Sequence, residues 1–177
     1  MLRPTAASIA CGVLIAAAAL AGCASNNAPP TGLPSFYQSL ATADAKLDVG
    51  AAQSMISGYR TNNGLGPVTI DPELMKLASE QAHAMAAHDK LDHNVWRPFQ
   101  ERIQQSSFDA AVAVENIAAG YDTLAEAFSG WRNSPPHRAN MLNPNVTKMG
   151  IAAVYAPASR YKVFWSLILA KRDDRPS

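Results

Sequence analysis

The sequence predicts an α+β fold in which helices cover a β-sheet, and two observations lead to this class. Apolar residues recur at helical spacing, with recognisable helix start signals, through the first two-thirds of the chain. The last third changes to two strand-like segments, residues 149–155 and 161–169, separated by the turn-forming residues 156–160. Two long strands joined by a short loop favour an antiparallel hairpin, over which the preceding helices are expected to pack.

The first two helices are predicted from their apolar stripes and their termini. A helix over residues 51–62 is indicated by four apolar residues on one face, followed by Asn-Asn-Gly. The second helix begins after Asp71, which is suited to the N-cap, with Pro72 at the first helical position and Glu73 in the first turn. We expect it to end near residues 88–91.

The middle of the chain is less regular. Residues 101–108 are interpreted as a short helix, and residues 110–114 as a strand or a buried extended segment. Thr123 and Glu126 have the spacing of a capping box, in which each side chain bonds the backbone N–H of the other residue. They predict a helix that runs to about Trp131, which is expected to lie in the core.

Two prolines directly before His137 predict a rigid helix start. Proline fixes φ and lacks only an N–H that the first helical turn does not use, so Pro135 and Pro136 suit this turn. Ser134 then takes the N-cap position. The stiff backbone would hold the titratable ring of His137 at a defined angle.

Residues 1–22 are predicted to be a lipoprotein signal peptide. Arg3 supplies a short basic start, and residues 9–20 form an apolar segment that is too short for a comfortable membrane span. The tetrad Leu20-Ala-Gly-Cys23 resembles the bacterial lipobox, in which the cysteine is acylated and the chain is cut before it. We therefore expect Cys23 to carry acyl chains such as palmitate, and the alternative is an ordinary signal peptide cut at a small-residue site.

Charge balance and cysteine content restrict the function and the compartment. Removal of the signal peptide takes away one charged residue, Arg3, so the 15 Lys+Arg fall by one and equal the 14 Asp+Glu. A neutral chain argues against nucleic acid as a partner and against polybasic attachment to lipid. Cys11 would be removed and Cys23 would carry lipid, so no thiol would remain for a disulfide.

The chain is divided at its composition changes. Residues 23–48 are interpreted as the lipidated N-terminus and a polar, proline-bearing tether, residues 49–171 as the domain, and residues 172–177 as a polar tail. Because several acyl chains give stable attachment to a bilayer, we expect an exported, membrane-anchored lipoprotein. Ala24-Ser25 lacks the aspartate associated with inner-membrane retention, which favours the outer membrane if the host has one.

Four motifs, in order along the chain, resemble the CAP superfamily, the SCP domain of cysteine-rich secretory proteins, antigen 5 and plant pathogenesis-related proteins. They are Leu91-Asp-His-Asn94, Glu115-Asn-Ile-Ala-Ala-Gly120, the stretch WRNSPPHRANML at 131–142, and Met149-Gly-Ile-Ala152. The resemblance covers roughly residues 49–171 and is to short bacterial members without disulfides. It implies a three-layer α-β-α sandwich with a mainly antiparallel sheet.

The resemblance also implies a cleft that carries two histidines and two glutamates. By motif, His93, Glu115 and His137 match three of these positions, and Ser134 stands where the second glutamate is usual. The neighbouring cleft residues are Asn94, Asn116 and Ser134. Asn116 is expected to brace the backbone turn after the glutamate.

Two imidazoles and one carboxylate match the ligand set of Zn²⁺ or another divalent metal. Glu115 would either bind the metal directly or orient one of the histidines from behind. The alternative is a buried hydrogen-bond network without metal, in which Glu115 accepts from His93 or His137.

These residues leave the biochemical activity open. We expect a cell-envelope binding module for a small lipid or another hydrophobic ligand. The alternative is a hydrolase that is assisted by metal or built from Ser134, His137 and Glu115. No catalytic residue is assigned, because Ser134 is explained as an N-cap and no Gly-x-Ser-x-Gly motif is present.

Overall fold

The computed structural model describes residue 1 and residues 32–173. The chain divides into two units, residues 1–30 and 31–177, and every helix and strand given below belongs to the second unit. The signal peptide and the acylated Cys23 lie outside the described residues and stay predictions. Among the described residues, no helix is both long and apolar enough to cross a membrane.

The order of elements matches the α+β class. In chain order they are a 3₁₀ turn Ser35–Tyr37, α1 Val49–Thr61, β1 Thr69–Ile70, α2 Pro72–His88, α3 Phe99–Gln104, β2 Ala110–Ala119, α4 Leu124–Asn133, α5 Pro135–Met141, β3 Lys148–Tyr155 and β4 Val163–Arg172. The strands β3 and β4 form the expected antiparallel hairpin.

The four strands form one sheet in the order β1-β3-β4-β2. β4 pairs antiparallel with both β3 and β2, but β1 pairs parallel with β3, through Thr69 with Lys148 and Ile70 with Met149. The expectation of a mainly antiparallel sheet was therefore wrong, and the sheet is mixed. A two-residue strand carries no alternating apolar pattern, so nothing in the sequence indicated β1.

Helices pack on both faces of the sheet, which confirms the three-layer sandwich. β4 lies inside the sheet, and residues 163–170 are at most 1% exposed, as expected for a strand covered on both sides. Its residues Trp165, Leu167 and Leu169 belong to the core under α1, α4 and α5. Ile168 and Ala170 belong to a second core under α2 and α3.

The predicted helix start signals are confirmed for α2 and α4. The Asp71 carboxylate accepts hydrogen bonds from the backbone N–H groups of Glu73 and Leu74, at 3.0 and 3.3 Å. Both bonds of the capping box between Thr123 and Glu126 are present. These local signals fix where α2 and α4 begin, independently of the core.

Other boundaries differ from the expectation. α1 begins at Val49 rather than residue 51, because the Asp48 side chain accepts from the N–H of Ala51 and caps the helix. α3 begins at Phe99, earlier than predicted, and is shorter. β2 extends to Ala119, five residues past the predicted end, since pairing with β4 continues along its whole length.

Packed structure begins before Val49. Leu40 is only 8% exposed and belongs to the larger core, and the Ser35 hydroxyl donates to Asp48 at 2.6 Å. Part of the segment interpreted as tether is therefore held against the domain.

A buried arginine joins α1 to the segment that follows α5. Arg60 is 1% exposed and donates to the backbone carbonyl oxygens of Gly66, Met141, Asn143 and Val146, at 2.7–3.1 Å. Desolvation lowers the pKa of its guanidinium. These bonds fix the end of α5, and α5 carries His137.

Candidate functional site

The centre of the site is a contact between His93 and Glu115. His93 lies in the loop between α2 and α3, and Glu115 lies in the middle of β2. The Nδ1 atom of the imidazole is 2.8 Å from Oε2 of the carboxylate. The His93 side chain is 44% exposed, whereas that of Glu115 is 1% exposed. One partner therefore faces the outside and the other lies inside the protein.

Arg102 of α3 holds the Glu115 carboxylate from the other side. One of its terminal nitrogens, Nη2, donates to both carboxylate oxygens at 3.0 Å, and to the backbone oxygen of His93 at 3.1 Å. The Arg102 side chain is also 1% exposed. Ser166 of β4 adds a hydrogen bond from its hydroxyl to Oε1 at 3.2 Å. Both oxygens of Glu115 thus have partners inside the protein.

His137 reaches the same region through α5. The side-chain amide of Asn116, the residue after Glu115, donates to the His137 backbone oxygen at 2.9 Å. Asn140 donates to the backbone oxygen of Glu115 at 3.2 Å and to the Asn116 side chain at 2.9 Å. These bonds tie one turn of α5 to the centre of β2. Asn116 therefore holds the helix, and does not brace a turn as we expected.

The surroundings of His137 lower the pKa of its ring. Burial lowers the pKa of His137, and the positive charge of His93 lowers it further. Both effects favour a neutral imidazole. Hydrogen bonds to the backbone of His137 and from Asn140 bring α5 to the part of β2 that carries Glu115. That the side chains of His93, Glu115 and His137 meet in one cleft stays a prediction.

Two other proposed cleft residues have different surroundings. The Asn94 side chain accepts from the N–H of Phe99 at 3.4 Å and supports the start of α3. Ser134 occupies the N-cap position of α5, but its side chain makes no capping hydrogen bond, contrary to the prediction. Pro136 has no N–H, which leaves the N–H of His137 as the donor for such a cap, and the Ser134 side chain does not accept from it.

Comparison with known proteins decides the family. The profile of the cysteine-rich secretory protein family, CAP, matches residues 53–169. The chain belongs to the CAP family.

Two bacterial relatives of this CAP protein are longer than the chain. The uncharacterized protein YkwD of Bacillus subtilis is 33% identical over 128 residues, which cover 64% of this chain and 49% of that protein. The uncharacterized membrane protein YlbC of the same organism is 28% identical over 94 residues, 52% of this chain and 27% of that protein. The chain thus spans half or less of the length of these two curated relatives.

Solved structures confirm the CAP fold. An outer surface protein of Borrelia burgdorferi superposes with a TM-score of 0.66 at 24% identity, covering 73% of this chain and 96% of that one. An extracellular protein with an SCP domain from Bacillus anthracis gives 0.61 at 22% identity, covering 70% and 40%.

The CAP motifs did not indicate two of the site's most important contacts. Arg102 and Ser166 lie outside all four motifs, and sequence reasoning missed both. A signal existed for Arg102, which occupies the inward stripe of α3 together with Phe99 and Ile103. An arginine among apolar helix positions indicates a buried acidic partner, because an unpaired buried charge is strongly unfavourable.

The geometry limits how this CAP site can use Glu115. Since a guanidinium, a hydroxyl and an imidazole occupy its two oxygens, Glu115 is placed to orient His93 from behind. Of the two roles that the sequence left open, this arrangement favours orientation over direct metal binding. Among residues 32–173, no group of three or more His, Cys, Asp or Glu side chains is arranged to hold a metal ion.

Proposed function

We propose that this protein is an exported, lipid-anchored CAP-domain protein of the cell envelope, and that its site binds a ligand rather than catalysing hydrolysis. The lipobox that ends at Cys23 supports anchoring. The similar structures of an outer surface protein and of an extracellular protein support export. The outer membrane stays our proposal for a host that has one.

The main support for a binding role is that three side chains hold the Glu115 carboxylate in place. Arg102 neutralises its charge, and Arg102, Ser166 and His93 engage its oxygens. Because partners inside the protein engage both of its oxygens, the carboxylate is poorly placed to attack a substrate, and covalent attack would break the ion pair with Arg102. It instead fixes the His93 ring, with Nδ1–H donated to Glu115 and the lone pair of Nε2 available for a ligand.

We further propose that two imidazoles bind a divalent metal such as Zn²⁺. Nε2 of His93 and the ring of His137 would hold the metal, and Glu115 would set the tautomer of His93. Bound metal supplies a Lewis acid at this place. The lowered pKa of His137 helps, because only neutral imidazole binds metal. Protein sites for Zn²⁺ usually have three or four protein ligands, so we expect weak, exchangeable binding.

Calorimetry with Zn²⁺ tests the metal proposal. We expect binding heat with the wild type and its loss in the double variant His93→Ala/His137→Ala. The matched control is His83→Ala, since His83 is an exposed histidine on α2 that bonds only its own helix turn. Indistinguishable heats for the wild type and the double variant would end the metal proposal.

Hydrolysis is the less favoured activity. The Ser134 hydroxyl has no hydrogen-bond partner within residues 32–173 and is therefore not activated by a base. A hydrolase that used Glu115 as base or nucleophile would lose its activity in Glu115→Gln. Measured esterase or amidase activity that disappears in this variant, but remains in Glu101→Gln, would favour hydrolysis over our proposal.

A second candidate function, binding of a small lipid, is favoured by two apolar depressions beside the 3₁₀ turn. One has a volume of about 640 Å³ and lies between this turn and α4, with Leu33 and Tyr37 in its lining. The other, about 450 Å³, lies between the turn and α1, with Phe36 and Met55 in its lining. Leu33 is 69% exposed and Tyr37 53%, so apolar surface is open there.

Mass spectrometry of co-purifying lipid tests this candidate. The delipidated domain is incubated with a bacterial lipid extract and re-purified. We expect bound lipid with the wild type and less with Leu33→Glu, while Leu91→Glu, an exposed leucine elsewhere, retains it. An empty eluate from the wild type would count against lipid binding.

A further inference from the structure

The two edges of the sheet are finished differently. Along β2 two outward carbonyl oxygens are closed by side chains, because Asn140 donates to the backbone oxygen of Glu115 and the Trp131 indole donates to that of Ile117 at 3.2 Å. These bonds occupy two of the acceptors that a further strand would use in the middle of this edge.

β3 is closed only at its beginning. β1 pairs with Lys148 and Met149, and the N–H of Asp71 donates to the Met149 oxygen at 2.9 Å. The next outward N–H, that of Ile151, meets the sulfur of Met75 at 3.3 Å. Successive backbone groups alternate in direction along a strand, so the outward groups that follow are those of Ala153 and Tyr155.

The outward backbone groups of Ala153 and Tyr155 are open. Neither residue has a hydrogen-bond partner on that side among the described residues, and both are only partly buried. The alternate residues of β3, among them Ala152 and Val154, direct their backbone groups to β4, and this pairing holds the strand in place. It therefore presents a rigid pair of unused donors and acceptors.

A groove of about 420 Å³ runs along this open edge. One wall is the segment before α1, and the other contains one residue of α2 and one of the β3–β4 loop. The lining residues are Leu40, Thr42, Ala43, Ala45, Leu47, His83, Ala153, Val154, Tyr155 and Pro157. The lining contains no Asp, Glu, Lys or Arg.

We propose that this groove binds an extended peptide segment of another protein, which adds to the sheet as a strand beside β3. The backbone groups of Ala153 and Tyr155 would pair with the peptide backbone, as in other cases of strand addition. At about 3.3 Å per residue, the two outward positions match a stretch of three or four peptide residues. Because side chains alternate along a strand, every second one would face Leu40 and Leu47, and we expect apolar residues there.

The walls of the groove favour a single strand over a second copy of this chain. Segment 40–47 lies beside the open edge of β3. In an edge-to-edge dimer the two copies of this segment would therefore be brought against each other, which disfavours pairing of β3 with β3. An uncharged lining also favours a neutral peptide over a charged partner, because desolvation of an unpaired charge is unfavourable.

A peptide library displayed on phage, with random nine-residue inserts, provides the probe. Binding of the selected peptide, made synthetically, is measured by fluorescence anisotropy for the wild type and two variants. Ala153→Pro removes one outward N–H that the pairing with β4 does not use, and proline is tolerated at such edge positions. Ala153→Ser is the matched control, since it keeps the N–H.

We expect alternating apolar residues in the selected peptides and binding about tenfold weaker in Ala153→Pro, as for loss of one hydrogen bond, with about wild-type binding in Ala153→Ser. If Ala153→Pro does not fold, two peptides replace it, each N-methylated at one of the two alternate sets of residues, and the one methylated at the residues that face β3 should bind the wild type at least about tenfold more weakly. Failure to select a peptide, equal binding of the methylated and unmethylated peptides, or a wild-type dimer in sedimentation would overturn the proposal. None of these results depends on metal or lipid binding.

Discussion

Arg102 and Glu115 form an ion pair in which both side chains are 1% exposed, with Nη2 of the guanidinium 3.0 Å from each carboxylate oxygen. This pair joins α3 to β2 and holds the acid that orients His93. Removal of one partner would leave the other charge buried without compensation, and such charges are strongly unfavourable.

We expect Arg102→Met to lower the free energy of unfolding by about 3–5 kcal/mol, because it leaves the Glu115 carboxylate unpaired inside the protein. Urea denaturation measures the change. The control is Arg97→Met, which removes a partly exposed ion pair with Glu101 at 3.7 Å and should change the free energy by less than about 1 kcal/mol. Equal effects of the two substitutions would contradict a special role of the buried pair.

The pKa of His137 should lie below the usual histidine value of 6.5, because burial and then the charge of His93 disfavour its protonation. Since the unfolded chain takes up the proton more readily, the stability contributed by this group is fully present above about pH 6.5 and is lost as the pH falls through the folded-state pKa. NMR titration of the ring protons measures the pKa directly. In His93→Ala we expect a partial rise only, since burial is the larger cause. A pKa above 6.5 in the wild type would show that the ring is not placed as described.

Arg60→Met should lower the free energy of unfolding by more than about 3 kcal/mol, because four backbone carbonyl oxygens lose their donor at a buried place. The comparison is Arg132→Met, an exposed arginine on α4, for which we expect a change near zero. Thermal denaturation of both variants gives the result. A small loss in Arg60→Met would mean that water replaces the guanidinium.

Gly150 allows α2 to approach β3 closely, and an added Cβ there would lie 2.1 Å from the carbonyl carbon of Leu74. Since the obstacle is backbone, Gly150→Ala should destabilise the protein by about 3 kcal/mol or prevent folding. Gly58→Ala is the control, because nothing lies within 4 Å of its added Cβ inside α1. This change should stabilise by about 0.5–1 kcal/mol. Melting temperatures that move in the same direction would contradict the proposed contact.

Much of the fold was predictable because its signals are local. The cap at Asp71, the capping box at Thr123 and the prolines before His137 each fix a helix start within a few residues of sequence. The length of β2 and the parallel strand β1 were not predictable, since both depend on pairing with strands far along the chain.

The candidate site was predictable only in part. Its three motif residues follow from the family resemblance. The structure shows the contact between His93 and Glu115, whereas the approach of the His137 ring to them stays a prediction. Arg102 and Ser166 were missed, because a motif records which residues recur and not what balances a buried charge. The absence of a capping bond from Ser134 was also missed, since the residue occupies the N-cap position that the sequence indicates and only its side chain departs from the expectation.

The difference between the two edges of the sheet has a consequence for self-association at high protein concentration. Polymerisation through β-sheets requires two open sheet edges on each subunit, because each added subunit must offer an unpaired edge to the next one. Here Asn140 and Trp131 occupy two acceptors in the middle of β2, so a peptide strand added beside β3 would not be followed by pairing at the opposite edge, and each molecule would bind one peptide.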